Sequence, residues 1–183
     1  MIILASKSPR RKELLSLITR DFEVIPAVGE EIADRSLPPS EYVAELARHK
    51  AEEVARSYPD DIVIGADTIV SVNGEILGKP KDEADAKRML KILSGCEHSV
   101  FTSVCIKCGD KNNAFCEETK VRFFELTEQE LNEYTSTGEP FDKAGAYGIQ
   151  GLGALLVSGI TGDYYNVMGL PVGKLARELK KFG

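Results

Sequence analysis

No apolar stretch in this 183-residue chain approaches the roughly 20 residues that a bilayer-spanning helix needs. The opening run Met1-Ile2-Ile3-Leu4-Ala5 is too short for a secretory hydrophobic region and has no basic flank before it. The expectation is therefore a cytoplasmic protein with no membrane partner. Positive charge is in deficit too: the formal net charge is −6, whereas a nucleic-acid-binding surface calls for a basic face. General nucleic-acid binding is excluded as the expected role, but a local cluster of Lys and Arg on an acidic protein can still hold one small anion. Cysteine is sparse, with Cys96, Cys105, Cys108 and Cys116 alone. Cys105 and Cys108 form one CxxC near His98, and no second CxxC follows. The run Val100 to Cys108 reads as a strand, where positions three apart face opposite sides, so the pair cannot share a metal without a turn. Reduced thiols within a sheet are expected, since cytosolic disulfides are rare. Repeats, low-complexity tracts, long linkers and the phosphate-binding pattern GxxxxGK[ST] are all lacking.

What is present suits a globular enzyme-sized unit. The apolar fraction is 43% and the charged fraction 28%, both ordinary for a packed domain. The length predicts one domain, or two lobes around one continuous core. Residues 2–5 read as a strand, Pro9 to Ile18 as a helix with an apolar stripe, and Phe22 to Pro26 as a second strand. Ala27 to Pro39 reads as an acidic loop, after which Ser40 caps a helix from Glu41 to about Ser57. The run Asp61 to Ala66 is apolar enough for a central strand buried on both faces. Asn73-Gly74 between Ile69–Val72 and Glu75–Leu77 predicts a tight hairpin, because both turn residues tolerate positive φ. A helix over Asp82 to Leu93 follows, then paired strands Val100–Lys107 and Ala114–Phe124. Thr127 with Glu130 predicts a capping box at the start of a helix to about Thr135. Ten of the 16 glycines lie at or after Gly138, so the stretch to Gly173 reads as close-packed loop before a closing helix from Leu170 to Lys181. Strands and helices alternate without strict βαβ regularity, which predicts a mixed-sheet α/β fold.

Four features break local rules. Ser8-Pro9 is a sound helix start, with Ser as cap and Pro at the first helical position. Arg10, Arg11 and Lys12 then occupy the end where the helix dipole is already positive. An anion bound there removes the conflict; a solvated basic patch is the alternative. Asp67 follows the buried run Ile62 to Ala66, and a carboxylate ending a central strand sits where α/β proteins place ligand crevices. A turn or capping aspartate is the alternative. Gly78-Lys79-Pro80 fixes the lysine backbone in an extended form. The run Asp142 to Gly151 is too glycine-rich for a helix and suits a close-packed loop where backbone approaches a ligand, with Gln150 then able to read a base edge through its amide; tight packing is the alternative. The adjacent acids Glu30-Glu31, together with Asp67, suit a hard cation such as Mg²⁺ or Mn²⁺, although adjacent surface acids are more commonly just solvated.

The sequence also resembles a known family. Ala5-Ser6-Lys7-Ser8-Pro9-Arg10-Arg11, Lys50-Ala51, Gly65-Ala66-Asp67-Thr68, Gly78-Lys79-Pro80, Leu93-Ser94-Gly95 with His98, Asp142 to Gly151, and Asn166 with Gly169-Leu170-Pro171 are similar, in order and spacing, to the motifs of the Maf nucleotide pyrophosphatases. The resemblance spans nearly the whole chain and implies one Maf-like domain over residues 1–183. It implies an elongated mixed β-sheet with flanking helices and two lobes around a central cleft, similar to inosine triphosphate pyrophosphatases. The implied reaction cleaves a nucleoside triphosphate between its α- and β-phosphates, giving monophosphate and pyrophosphate with a divalent cation. A homodimer is implied as well.

Residue by residue, the resemblance puts the proton acceptor on Asp67 and the specificity positions on Arg10, Thr68 and Gln150, a combination like that of the subgroup acting on dTTP and UTP. Arg11, Glu31, Lys50 and Lys79 match the remaining polar positions. On this reading Glu31 and Asp67 hold the metal, Lys50 and Lys79 serve catalysis with Arg11, and Ser8 cradles a phosphate. The rival readings are a nucleotide-binding regulator of cell division that does not turn over its ligand, and a pyrophosphatase for another nucleotide such as 7-methyl-GTP. One departure is Phe101-Thr102-Ser103-Val104, where many relatives have Thr-Gly; it is expected to lie away from the chemistry.

Overall fold

The structure, a computed structural model, describes residues 1–30 and 32–183. Among the described residues, seven strands form one mixed sheet in the order β2-β1-β3-β5-β6-β7, with β4 paired to β3. They are β1 (Ile2–Leu4), β2 (Glu23–Val24), β3 (Ile62–Val72), β4 (Glu75–Leu77), β5 (Glu97–Cys108), β6 (Lys111–Phe123) and β7 (Val157–Thr161). Among the described residues, six α-helices flank them: α1 (Pro9–Leu15), α2 (Pro39–Ala55), α3 (Glu83–Leu93), α4 (Glu128–Thr135), α5 (Tyr164–Met168) and α6 (Val172–Leu179). β1 runs parallel to both β2 and β3, whereas β3–β4 and β6–β7 are antiparallel. The expected mixed-sheet α/β class is therefore observed.

The chain divides into two compact units. One comprises residues 1–68, 102–117 and 169–183, the other residues 69–101 and 118–168.

In the first unit, α1 joins β1 to β2 and α2 joins β2 to β3. The two crossovers run in opposite directions along the sheet, so right-handed connection puts their helices on opposite faces. α2 lies on Ile3, Val63 and Cys105 through Ala47, Ala51, Val54 and Ala55. This helix starts one residue before Ser40, with Pro39 at a first-turn position and no side-chain cap. The expected Ser40 cap is thus corrected: proline needs no partner for a missing N–H, so the chain turns helical there. α1 ends at Leu15, short of the expected Ile18. Beyond it the N–H groups of Leu17 and Ile18 bond three residues back, to Leu14 and Leu15, tightening the end into turns.

The second unit has its own core of Val70, Val72, Leu90, Leu93, Val121, Phe123, Leu131 and Tyr147. Its hairpin is as expected, with φ of 51° at Asn73 and 80° at Gly74. The Thr127–Glu130 capping box forms in full. Strand β7 and helix α5 were not legible in the glycine-rich tail. The four cysteines are all unbridged. Buried Cys105 has its thiol pushed up to about 11 by loss of water.

His98 is 2% exposed, packs edge-on against Phe123 and Tyr147, and shares a 2.7 Å hydrogen bond with the Tyr147 hydroxyl through Nε2. Burial lowers its pKa from 6.5 to about 4. Between those values an unfolded chain binds the proton and the folded chain does not, so stability is fully present above pH 6.5 and is lost as pH falls towards 4. The loss should reach about 3 kcal/mol at most. Urea unfolding between pH 7 and 4 should show a steeper decline for the wild type than for His98→Gln; equal slopes would remove His98 as the cause.

Candidate active site

The first unit gathers its polar side chains where β1 ends. The β1–β3 register runs Ile2↔Ile62 to Leu4↔Ile64, and one further bond, Ala5 N–H to the Ile64 carbonyl at 2.8 Å, closes the ladder. The chain then leaves the sheet through Ser6 and Lys7 into α1. β3 continues, carrying Asp67 and Thr68 beyond its last pairing with β1. Because β1 lies between β2 and β3, whose crossover helices cover opposite faces, its carboxyl end is a topological switch point, the usual place for a ligand crevice in open α/β sheets. The sequence places Asp67 at the end of its strand, and the structure corrects this. Asp67 lies in the middle of the 11-residue β3. What ends there is the neighbouring strand, and this produces the same kind of opening.

Ser8 caps α1, its hydroxyl accepting from the Arg11 N–H at 3.4 Å. The helix has only seven residues, so its dipole is weak and its basic side chains matter more than its axis. Arg11 is 9% exposed. Its Nε donates to the Gly169 carbonyl at 2.8 Å, its Nη1 to Ser6 Oγ at 3.3 Å and its Nη2 to Thr68 Oγ1 at 2.9 Å. One guanidinium thus ties α1, the residues leading into it, β3 and the chain before α6 together. Hydrogen bonds to a charged group contribute about 1.5–3 kcal/mol each.

Thr68 Oγ1 also lies 2.8 Å from Thr102 Oγ1 on β5. This corrects one expectation: the Phe101 to Val104 departure does not lie away from the candidate site, because Thr102 touches Thr68, one of the expected specificity positions. Sequence order could not show it, since 34 residues separate the two threonines. Thr102→Val should lower stability in urea by about 1 kcal/mol while Ser6 and Gly169 still hold Arg11. An unchanged midpoint would mean that the hydroxyl pair contributes nothing.

On the other face of β3, Lys50 Nζ is 2.7 Å from Asp67 Oδ1, with the two side chains only 16% and 14% exposed. Alternation along the strand explains the pairing. Gly65 and Asp67 point to the same side, and a Cβ on Gly65 would lie 2.4 Å from the Ala47 carbonyl oxygen and 2.6 Å from the Ala51 nitrogen. Glycine lets α2 press onto β3 there, which brings Lys50, the residue before Ala51, onto the carboxylate two positions further along the strand.

Ser8, Arg10, Arg11, Lys50, Asp67 and Thr68 all belong to the first unit. Arg10 is half-buried. Lys79 and Gln150 belong to the second: Lys79 is exposed beside Gly78, whose carbonyl accepts from the Gly145 N–H at 3.0 Å, and Gln150 is half-buried. Glu31, the expected metal ligand, lies outside the described residues. Among the described residues no three His, Cys, Asp or Glu side chains come together, and no helix is long and apolar enough to cross a membrane. The additional site residues that sequence reasoning gave no role are Ser6, Thr102 and Gly169. The first and last lie in the quoted motifs, which was the available signal.

These features define an α/β protein with a cationic, hydroxyl-rich candidate anion site next to a lysine-held carboxylate. Its sequence matches the family described as Maf-like protein over residues 1–182, and the chain belongs to that family. It is 53% identical over 180 residues to a dTTP/UTP pyrophosphatase of Bacillus cytotoxicus, covering 98% of this chain and 94% of that one. It is 54% identical over 181 residues to a dTTP/UTP pyrophosphatase of Bacillus cereus strain AH820, covering 99% and 95%. Among solved structures, the Ham1 protein of Staphylococcus aureus shares the fold, with a TM-score of 0.58 at 17% identity over 100% of this chain and 99% of that one.

Proposed function

We propose that this protein is a nucleoside triphosphate pyrophosphatase that hydrolyses dTTP and UTP to the monophosphate and pyrophosphate. Relatives of that name match it at more than half of all positions over nearly full length. The structural observation that carries the mechanism is the enclosed Lys50–Asp67 pair at the end of β1. Lys50 holds Oδ1 of the carboxylate, and Oδ2 takes the proton of the attacking water. Water oxygen forms the new bond to phosphorus, the α–β anhydride bond breaks, and pyrophosphate leaves. General-base assistance of this kind is worth about 10²–10⁴-fold.

A divalent cation fits the donor set, since Mg²⁺ is commonly held by one or two carboxylates together with substrate phosphates. Asp67 and Glu31 would hold Mg²⁺ or Mn²⁺. Bound there, the cation supplies charge neutralisation and polarisation of phosphoryl oxygens. Arg11, Lys50 and Lys79 offset the negative charge that builds on the phosphates, Ser8 bonds a phosphate oxygen, and Arg10, Thr68 and Gln150 orient the base. The enzyme works in the cytoplasm as a homodimer.

The test is incubation with canonical and modified nucleoside triphosphates plus Mg²⁺ or Mn²⁺, with products resolved by anion exchange. Monophosphate with pyrophosphate, strongest from dTTP and UTP, is the expected result. Diphosphate with phosphate would move the scissile bond. Binding without turnover would favour a nucleotide-sensing regulator.

A further inference from the structure

The loop carrying Gln150 is held from below by one carboxylate and one phenol. The three-residue turn Ala144–Ala146 enters it and Gly151–Leu156 follows it as a short 3₁₀ helix. Glu139 Oε1 accepts from the Tyr134 hydroxyl at 2.9 Å and from the Gly153 N–H at 3.0 Å, while Oε2 accepts from the Leu152 N–H at 3.1 Å. The Tyr134 hydroxyl in turn accepts from the Gly148 N–H at 3.2 Å. Gln150 therefore lies between two anchored points, Gly148 on one side and Leu152 with Gly153 on the other.

The glycines are what admit this staple. A Cβ on Gly151, where φ is +65°, would lie 2.8 Å from Glu139 Oε2. A Cβ on Gly153 would lie 1.9 Å from the Gly148 carbonyl oxygen and 2.9 Å from the Tyr134 hydroxyl. The phenol is 5% exposed, and burial raises its pKa, so it stays a donor across the working pH range. Two further ties act on the same loop: the Gly145 N–H bonds the Gly78 carbonyl, and Tyr147 shares its hydroxyl with buried His98.

Resting on the reading that Gln150 contacts the nucleobase, we infer that Glu139, through Tyr134 and the loop amides, is a positioning residue that sets base discrimination. It touches no reacting atom. A base-reading amide must be held near its productive geometry to reward one base over another, because discrimination by hydrogen bonding collapses when the partner group is free to move. Loosening the staple removes binding that is equal in ground and transition states, so it should raise KM and leave kcat nearly unchanged.

The experiment compares wild type, Glu139→Gln, Glu139→Ala and Tyr134→Phe, with steady-state kinetics on dTTP, UTP, dCTP and GTP and amide exchange by mass spectrometry. Gln keeps one carbonyl acceptor but turns either the Leu152 amide or the Tyr134 and Gly153 donors towards an NH₂ group, so its effect should fall between wild type and Ala. For the preferred nucleotides KM should rise about five- to tenfold in the Ala and Phe variants, preference over dCTP and GTP should shrink by a similar factor, and exchange should quicken in 148–153. Thermal melts confirm folding; should Glu139→Ala fail to fold, Tyr134→Phe carries the test. Folded variants with unchanged KM and preference would overturn the inference, as would a fall in kcat at constant KM. If the wild type leaves every nucleotide intact, the proposed function fails and the discrimination role falls with it, a result seen before any variant is compared.

Discussion

Asp67→Asn should bind nucleoside triphosphate close to wild-type affinity and turn it over about 10²–10⁴-fold more slowly. The substitution is nearly isosteric. Its amide oxygen still accepts from Lys50 Nζ, which is 2.7 Å from Oδ1 in the wild type, so the α2–β3 geometry survives. What vanishes is the oxygen proposed to take the water proton, and with it half of the charge pair. Thermal melting separates this loss from unfolding. Equilibrium binding with a non-hydrolysable analogue, together with single-turnover rates, checks the outcome. A variant within threefold of wild-type kcat would remove Asp67 as the base and leave Lys50 stabilising charge without it.

The second large effect is expected two residues before Asp67, on the same face of β3. Gly65→Val should destabilise the protein by about 3 kcal/mol, the upper part of the usual overpacking range, and lower melting by about 6–12 °C. The reason is the neighbour. The Cβ would meet backbone, the Ala47 carbonyl oxygen at 2.4 Å and the Ala51 nitrogen at 2.6 Å, and backbone inside a packed helix cannot step aside as a side-chain end can. α2 must move away from β3, carrying Lys50 off Asp67. Activity should therefore fall along with stability, and should remain low at temperatures where the variant is still folded. Gly65→Ala should show a smaller version of both effects. A folded Gly65→Val protein with normal turnover would show that the Lys50–Asp67 pair does not depend on this contact.

Much of the fold was legible because it was written in local chemistry. Asn73-Gly74 specifies its turn through φ, Thr127 with Glu130 specifies its cap, and the apolar run before Asp67 specifies a buried strand. Each signal acts over a few residues, and each is found where expected. The start of α2 falls at Pro39 and not after Ser40, because proline suits a first-turn position. Strand β7 and helix α5 were hidden in the glycine-rich tail, where local propensity is weak; for β7, pairing with β6 decides the conformation.

The sequence by itself determined the residue types at the site, Ser8, Arg11, Lys50, Asp67 and Thr68, and, through the resemblance, the family. Only the tertiary structure decided which of them meet. Lys50 reaches Asp67 because Gly65 has no side chain to keep α2 away. Arg11 is drawn into a buried web with Ser6, Thr68 and Gly169, 158 residues from its farthest partner. Thr102 joins that web from a segment that had seemed remote. Such pairings follow from strand order and helix packing, which act between segments distant along the chain, so no window of sequence contains them.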